Sequence, residues 1–135
     1  MAPFYFADHE LAERETRKFM VPGHPTLSKG WFLFVELYCA LPGCDCKRVM
    51  INVIRERDQY QLATINYAFE PNDPDRGPFL DPLNPQSEIS DSLLDFFKHV
   101  IEKDAAYKDR LQRHYLLFKQ AIANPRHPIH ERLQT

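Results

Sequence analysis

Glycine is scarce in this chain, four residues against eleven prolines, and the shortage removes several classes of function. Loops that cradle phosphate groups need glycine so that backbone can approach the ligand, and no P-loop, G-x-G-x-x-G or G-x-S-x-G pattern is present. Long apolar runs are lacking too. The longest, residues 31–35 and 37–41 around Glu36, falls short of the ~20 residues that span a bilayer. The first nineteen residues, MAPFYFADHELAERETRKF, are charged early and hold no continuous apolar stretch, so they do not read as a signal peptide. Neither sign of charge dominates, with 17 Lys and Arg against 19 Asp and Glu. A nucleic-acid binder or polybasic membrane-surface protein concentrates Lys and Arg, so neither partner is expected. The H-E-x-x-H pattern and the deaminase pair H-x-E with P-C-x-x-C are missing as well.

What is present points to a soluble globular domain. A chain of 135 residues suggests one domain over 1–135, because a second core would need more chain. Hydrophobic residues make up 44% of it, including 10 Phe, 6 Tyr and 1 Trp, enough for a sizeable core. Many prolines with few glycines indicate stiff, specified loops. The three cysteines are an odd number, and no leader is visible. A reducing, cytoplasmic setting is therefore expected, in which thiols serve as metal ligands, reactive groups or core residues rather than disulfides.

Periodicity gives the element order. Leu11, Glu15 and Phe19 recur at helical spacing behind a capping Asp8, which predicts a helix over 8–19 ended by Pro22, Gly23 and Pro25. Residues 31–39 (WFLFVELYC) are apolar on both faces except at Glu36 and read as a central or doubly covered strand. Pro42-Gly43 marks a turn into a second strand at 48–54, and Arg57-Asp58 a turn into a third at 60–70. Three strands on short turns imply an antiparallel meander. The loop 71–85 carries Pro71, Pro74, Pro78, Pro82 and Pro85 among acidic and amide residues, with Phe79, Leu80 and Leu83 to pin it. Its Asp73, Asp75 and Asp81 lack EF-hand spacing and read as solvated. Two helices follow over 86–123. The first is capped by Asn84 or Ser87 and striped by Leu93, Phe96, Phe97 and Val100. The second is capped by Asp104, striped by Tyr107, Leu111, Tyr115, Phe118 and Ile122, and ended by Asn124-Pro125. Residues 124–135 are left as a tail, and Arg110, Arg113 and Lys119 as the solvent face of the last helix. The expected fold is α+β: a three-stranded meander with an N-terminal helix and two C-terminal helices on one face.

Chemistry concentrates in Cys39, Cys44 and Cys46, a C-x4-C-x-C cluster on a strand-turn-strand connection. Such a turn can aim several sulfurs at one point, and a soft thiolate set suits Zn²⁺, Cu(I) or iron–sulfur chemistry. Structural zinc takes four ligands. His114 is the best candidate for the fourth, since its wheel position lies at the edge of the apolar stripe. The competing reading of His114 is a half-buried helix histidine with a hydrogen-bond partner. His24 precedes the first long strand with nothing to orient it; His99 falls on the polar side of its helix; His9, His127 and His130 lie near the ends. Asp45, between two cysteines, could supply an oxygen but suits the turn better. A closed Cys3His site holding one Zn²⁺ would add folding stability, whereas water in the fourth position would permit Lewis-acid chemistry.

The stretches ELYCALPGCDCKRVMINV, FLDPLNPQSE and RLQRHYLLFKQAI together resemble a family of small bacterial proteins with no assigned activity, over about residues 31–122. The resemblance implies that the cysteine turn and the His114 region belong to one module. Some members of that family carry a C-terminal SEC-C-type zinc motif, but this chain ends RHPIHERLQT and lacks it, so no function tied to that appendage carries over.

The leading expectation is a non-catalytic zinc-binding scaffold module. Its partner would be another protein or a second copy of the chain, met through exposed aromatics and the loop 71–85. The rival is a thiol redox or Cu(I)-handling protein using Cys44 and Cys46, because C-x-C sulfurs suit a low-coordinate soft ion.

Overall fold

Alternating apolar residues in three successive segments build the centre of the molecule. The computed structural model describes residues 1–20 and 30–134. Its three long strands are β3 (Trp31–Tyr38), β4 (Arg48–Arg55) and β5 (Tyr60–Ala68), paired antiparallel in chain order. Phe34 stands opposite Val53 and Glu36 opposite Ile51, while Ile51 and Val53 in turn face Ile65 and Ala63. These residues share one face of the sheet and are all buried. The sheet is wider than the expected three strands, because three short ones complete it. These are β1 (Ala2–Pro3), β2 (Arg17–Met20) and β6 (Phe79–Leu80), with β1 and β2 both on the free side of β3 and β6 beside β5.

The helix expected over 8–19 is shorter. As expected, Asp8 accepts the Leu11 amide at 3.0 Å, but α1 spans only His9–Glu15 and the chain then turns into β2. Phe19 is a strand residue opposite Phe32. It packs at 4.4 Å from the Phe34 ring and 4.5 Å from that of Phe96. The pairing partner decided this, since four residues that satisfy a helical repeat equally satisfy a period of two when a strand lies alongside. Pro22, Gly23 and Pro25 lie outside the described residues.

The helical layer is α2 (Ser90–Lys103) and α3 (Ala105–Ala123). The predicted stripes are buried almost in full: Leu93, Phe97 and Val100 on α2, and Tyr107, Leu111, Tyr115, Phe118 and Ile122 on α3. Phe96 is half-buried against Phe19. Asp104 caps α3 as expected, accepting the Tyr107 amide at 3.0 Å. Neither Asn84 nor Ser87 caps α2, which starts later. Asn84 instead donates its side-chain amide to Asp81 at 2.8 Å, and Ser87 accepts the Ile89 amide at 3.3 Å. The tail also differs from expectation, because α4 (Ile129–Leu133) packs back with Ile129 fully buried.

The helices cover one face of the sheet and leave the other half-exposed. On β3 the buried set is Phe32, Phe34, Glu36 and Tyr38, whereas Leu33, Val35 and Leu37 are only partly covered, so the strand is central in the sheet, as expected, but not doubly covered. The free edge of β5 is closed by side chains. Gln86 bridges the Thr64 amide (3.2 Å) and carbonyl (2.8 Å), and Ser90 donates to the Leu62 carbonyl at 3.0 Å. A sealed edge cannot template pairing with another chain. Among the described residues no helix is long and apolar enough to cross a membrane.

Candidate metal centre

The connection between β3 and β4 is shaped by its own turn chemistry. Pro42 and Gly43 occupy the two central positions of a turn closed by the Cys44 amide on the Leu41 carbonyl at 3.2 Å. Gly43 has φ +76°, a conformation that a side chain would penalise. Cys39 follows the last residue of β3, and Cys44 and Cys46 follow the turn. All three sulfurs therefore gather within 4.8 Å of one another. Each cysteine is half-buried and unbridged. Sulfurs bound to one tetrahedral zinc at about 2.3 Å stand about 3.8 Å apart, so small side-chain rotations suffice to seat an ion.

α3 holds this connection in place. The Lys119 ammonium donates to the Cys39 carbonyl at 2.7 Å and lies 5.5 Å from the centre of the Tyr115 ring. Lys119 is thus a tether rather than part of a solvent face. Hydrogen bonds from Cys46, aided by Cys39 and by the charge of Lys119, lower the pKa of the Cys44 thiol. Burial, together with the neighbouring thiols, pushes that of Cys46 up to about 11. The Cys44 proton is thus the more easily lost and the Cys46 proton the more firmly held. A bound cation would favour the thiolate form of its ligands.

His114 does not join the sulfurs. It is fully buried, and both ring nitrogens are engaged: Nδ1 lies 2.7 Å from Oε1 of Glu36 and Nε2 2.8 Å from Oε1 of Glu15. The Tyr38 hydroxyl donates to the same Glu36 oxygen at 2.6 Å, and the Phe4 ring stacks on the imidazole at 4.1 Å. Burial opposes charge on His114, but hydrogen bonding and attraction from Glu36 and Glu15 outweigh it and raise the pKa above 6.5. The bond from His114, with Arg113 and Arg110 nearby, holds Glu15 below its ordinary 4.5. Position on the wheel foretold that His114 would face inward. The carboxylates that claim it come from β3 and from α1, distant in sequence, and the lone Glu36 within an apolar strand was the available signal for a buried partner.

The other candidates are dispersed. His9 is 3.6 Å from Glu13, His99 is exposed, and His127 and His130 bond to backbone around α4. His24 lies outside the described residues. Arg113 is exposed, as expected, and reaches the Glu15 carboxylate at 3.4 Å, whereas Arg110, also expected in solvent, is half-buried and donates to the Glu15 carbonyl at 3.0 Å. Asp81, also expected in solvent, is buried. It accepts bonds from Leu83, Asn84 and Asn66, and these outweigh its desolvation and lower its pKa.

Comparison with known proteins finds no matching family, curated protein or solved structure. Function therefore rests on geometry. Three cysteines lie close enough to hold a metal ion.

Proposed function

We propose that this protein is a small cytoplasmic zinc-binding domain that acts as a non-catalytic binding module. One Zn²⁺ would be held by Cys39, Cys44 and Cys46. The observation that supports the reading is the convergence of three sulfurs within 4.8 Å on a connection tethered to α3 by Lys119. The donor set fits, since thiolates are preferred ligands of structural zinc. The fourth position falls to the exposed Asp45 or to solvent, because His114 is occupied by two carboxylates. The ion would cross-link the β3–β4 connection and raise folding stability. Membership of the small bacterial family that the cysteine turn resembles is part of the same proposal.

A second reading draws on the missing histidine, since three sulfurs without a fourth protein ligand also suit a low-coordinate Cu(I) ion. Elemental analysis of tag-free protein separates the two. About one zinc per chain is expected from a single site, with loss on replacing any one of the three cysteines by serine. Copper at that stoichiometry would establish the second reading. Metal-free protein with three titratable thiols, Cys44 reacting fastest with iodoacetamide, would overturn both and indicate thiol chemistry.

A further inference from the structure

Several cations on this molecule are neutralised by a neighbouring carboxylate. Lys18 pairs with Glu56, Lys47 with Glu70, Arg48 with Asp73 and Arg55 with Asp58. One cleft departs from that pattern. It has a volume of about 420 Å³ and lies between the loop after β5 and the ends of α2 and α3 that meet at Asp104. Arg76, Lys98 and Lys108 line it, against a single acid, Glu102. Neither Lys98 nor Lys108 makes an ion pair with a described residue. A larger hollow of about 610 Å³ beside Arg55 has no such excess, because Asp58 already engages Arg55 through two bonds of 2.9 and 2.7 Å.

Arg76 is the unusual member. Its Nε is buried and has no hydrogen-bond partner, a costly state for a cationic donor. Arg17 and Arg110 also have an unpartnered Nε, but their head groups end on Asp104 at 3.3 Å and on the Glu15 carbonyl at 3.0 Å. The head group of Arg76 finds only the Tyr67 hydroxyl, at 3.5 Å, and the face of that ring. Its backbone is fixed from both sides, the amide on the Asp73 carbonyl (3.1 Å) and the carbonyl on the Ala68 amide (2.8 Å). Gly77 next to it has φ +75°, and a Cβ there would lie 2.7 Å from the Asn66 carbonyl oxygen. The loop thus presents a rigidly rooted guanidinium with unused donors, flanked by two free ammonium groups and floored by Tyr67 and Ile101.

We propose that this cleft binds the phosphate group of a small phosphorylated molecule. A guanidinium fork matches two oxygens of a tetrahedral anion, and flanking lysines supply the remaining charge. The volume lies within the range of small-molecule clefts and leaves room for an organic moiety beside the part-exposed Pro78. The site is separate from the cysteine cluster and does not depend on metal.

Isothermal titration of the full chain with inorganic phosphate, glycerol 3-phosphate and acetate tests the proposal. Saturable binding of both phosphates, weakened by added salt and absent for acetate, is expected. Tighter binding of the ester identifies an esterified ligand; equal binding identifies the free ion as the ligand. Arg76→Gln and the pair Lys98→Gln/Lys108→Gln should each weaken binding about tenfold, and Arg76→Lys should not restore it, because the fork is lost. Glu102→Gln should tighten it by removing a like charge, a gain that unfolding cannot imitate. Lys103→Gln, outside the cleft, serves as control, with circular dichroism to verify the fold. No saturable phosphate binding, or binding that these variants leave unchanged, would overturn the assignment.

Discussion

The His114 imidazole sits between Glu15 and Glu36, and its charge contributes to stability as well as to packing. Its pKa is raised above 6.5, so the stabilisation is complete below that pH and is lost as pH rises through the raised value. Glu15 is lowered below 4.5, so its share is complete above that pH and is lost as pH falls through the lowered value. The cluster therefore contributes most between pH 4.5 and 6.5. Urea midpoints should decline from pH 6 to pH 9, and His114→Gln should flatten that decline; parallel profiles would mean that other groups set it. His114→Ala leaves the buried Glu36 with Tyr38 as its remaining partner and empties the space beneath Phe4, a loss of about 3 kcal/mol. A second residue-scale test lies at Gly77. Gly77→Ala places a Cβ against the Asn66 carbonyl at positive φ, and a loss of about 1–3 kcal/mol is expected in denaturant melts.

At the scale of elements, β2 and α4 are the segments whose role the chain conceals. Phe19 is 7% exposed and meets three other phenylalanine rings from β2. Phe19→Ala should therefore cost about 3–5 kcal/mol, far more than a surface position at a frayed helix end. Ile129 anchors α4 in the core with no exposure. Ile129→Ala should lower stability by about 2–5 kcal/mol, whereas a loose tail would give no change in the midpoint of unfolding. α3 is the integrating element. Through Arg110, Arg113, His114 and Lys119 it holds α1, β3 and the cysteine connection, so its polar residues tie layers together as well as facing solvent.

For the molecule as a whole, the proposed ion adds a cross-link to a core that is otherwise complete. Chelation of the metal-loaded protein should lower the melting temperature without abolishing the fold, since the sheet and helices bury their stripes independently of the sulfurs. Lys119→Met should speed metal loss by freeing the Cys39 carbonyl, read by release of zinc to a colorimetric chelator. The closed β5 edge offers no template for strand addition on that side of the sheet, and Leu33, Val35 and Leu37 leave one sheet face half-exposed.

Local chemistry was legible from the chain alone. The stripes of α2 and α3, the caps at Asp8 and Asp104, the Pro42-Gly43 turn and the long strands all follow from spacing within one segment, because periodicity and capping are properties of near neighbours. The convergence of three cysteines was legible for the same reason, as they lie within eight residues on one turn. Tertiary structure alone decided what each segment meets. Residues 17–20 became a strand because β3 lay beside them, and residues 129–133 became a helix with Ile129 in the core. His114 was claimed by carboxylates 78 and 99 residues away rather than by the sulfurs. Asp81 was taken from solvent by Asn66 and the folded loop. Such outcomes depend on contacts between distant parts of the chain. A buried polar group is satisfied by whichever partner the fold brings within 3 Å, and sequence spacing does not encode that partner.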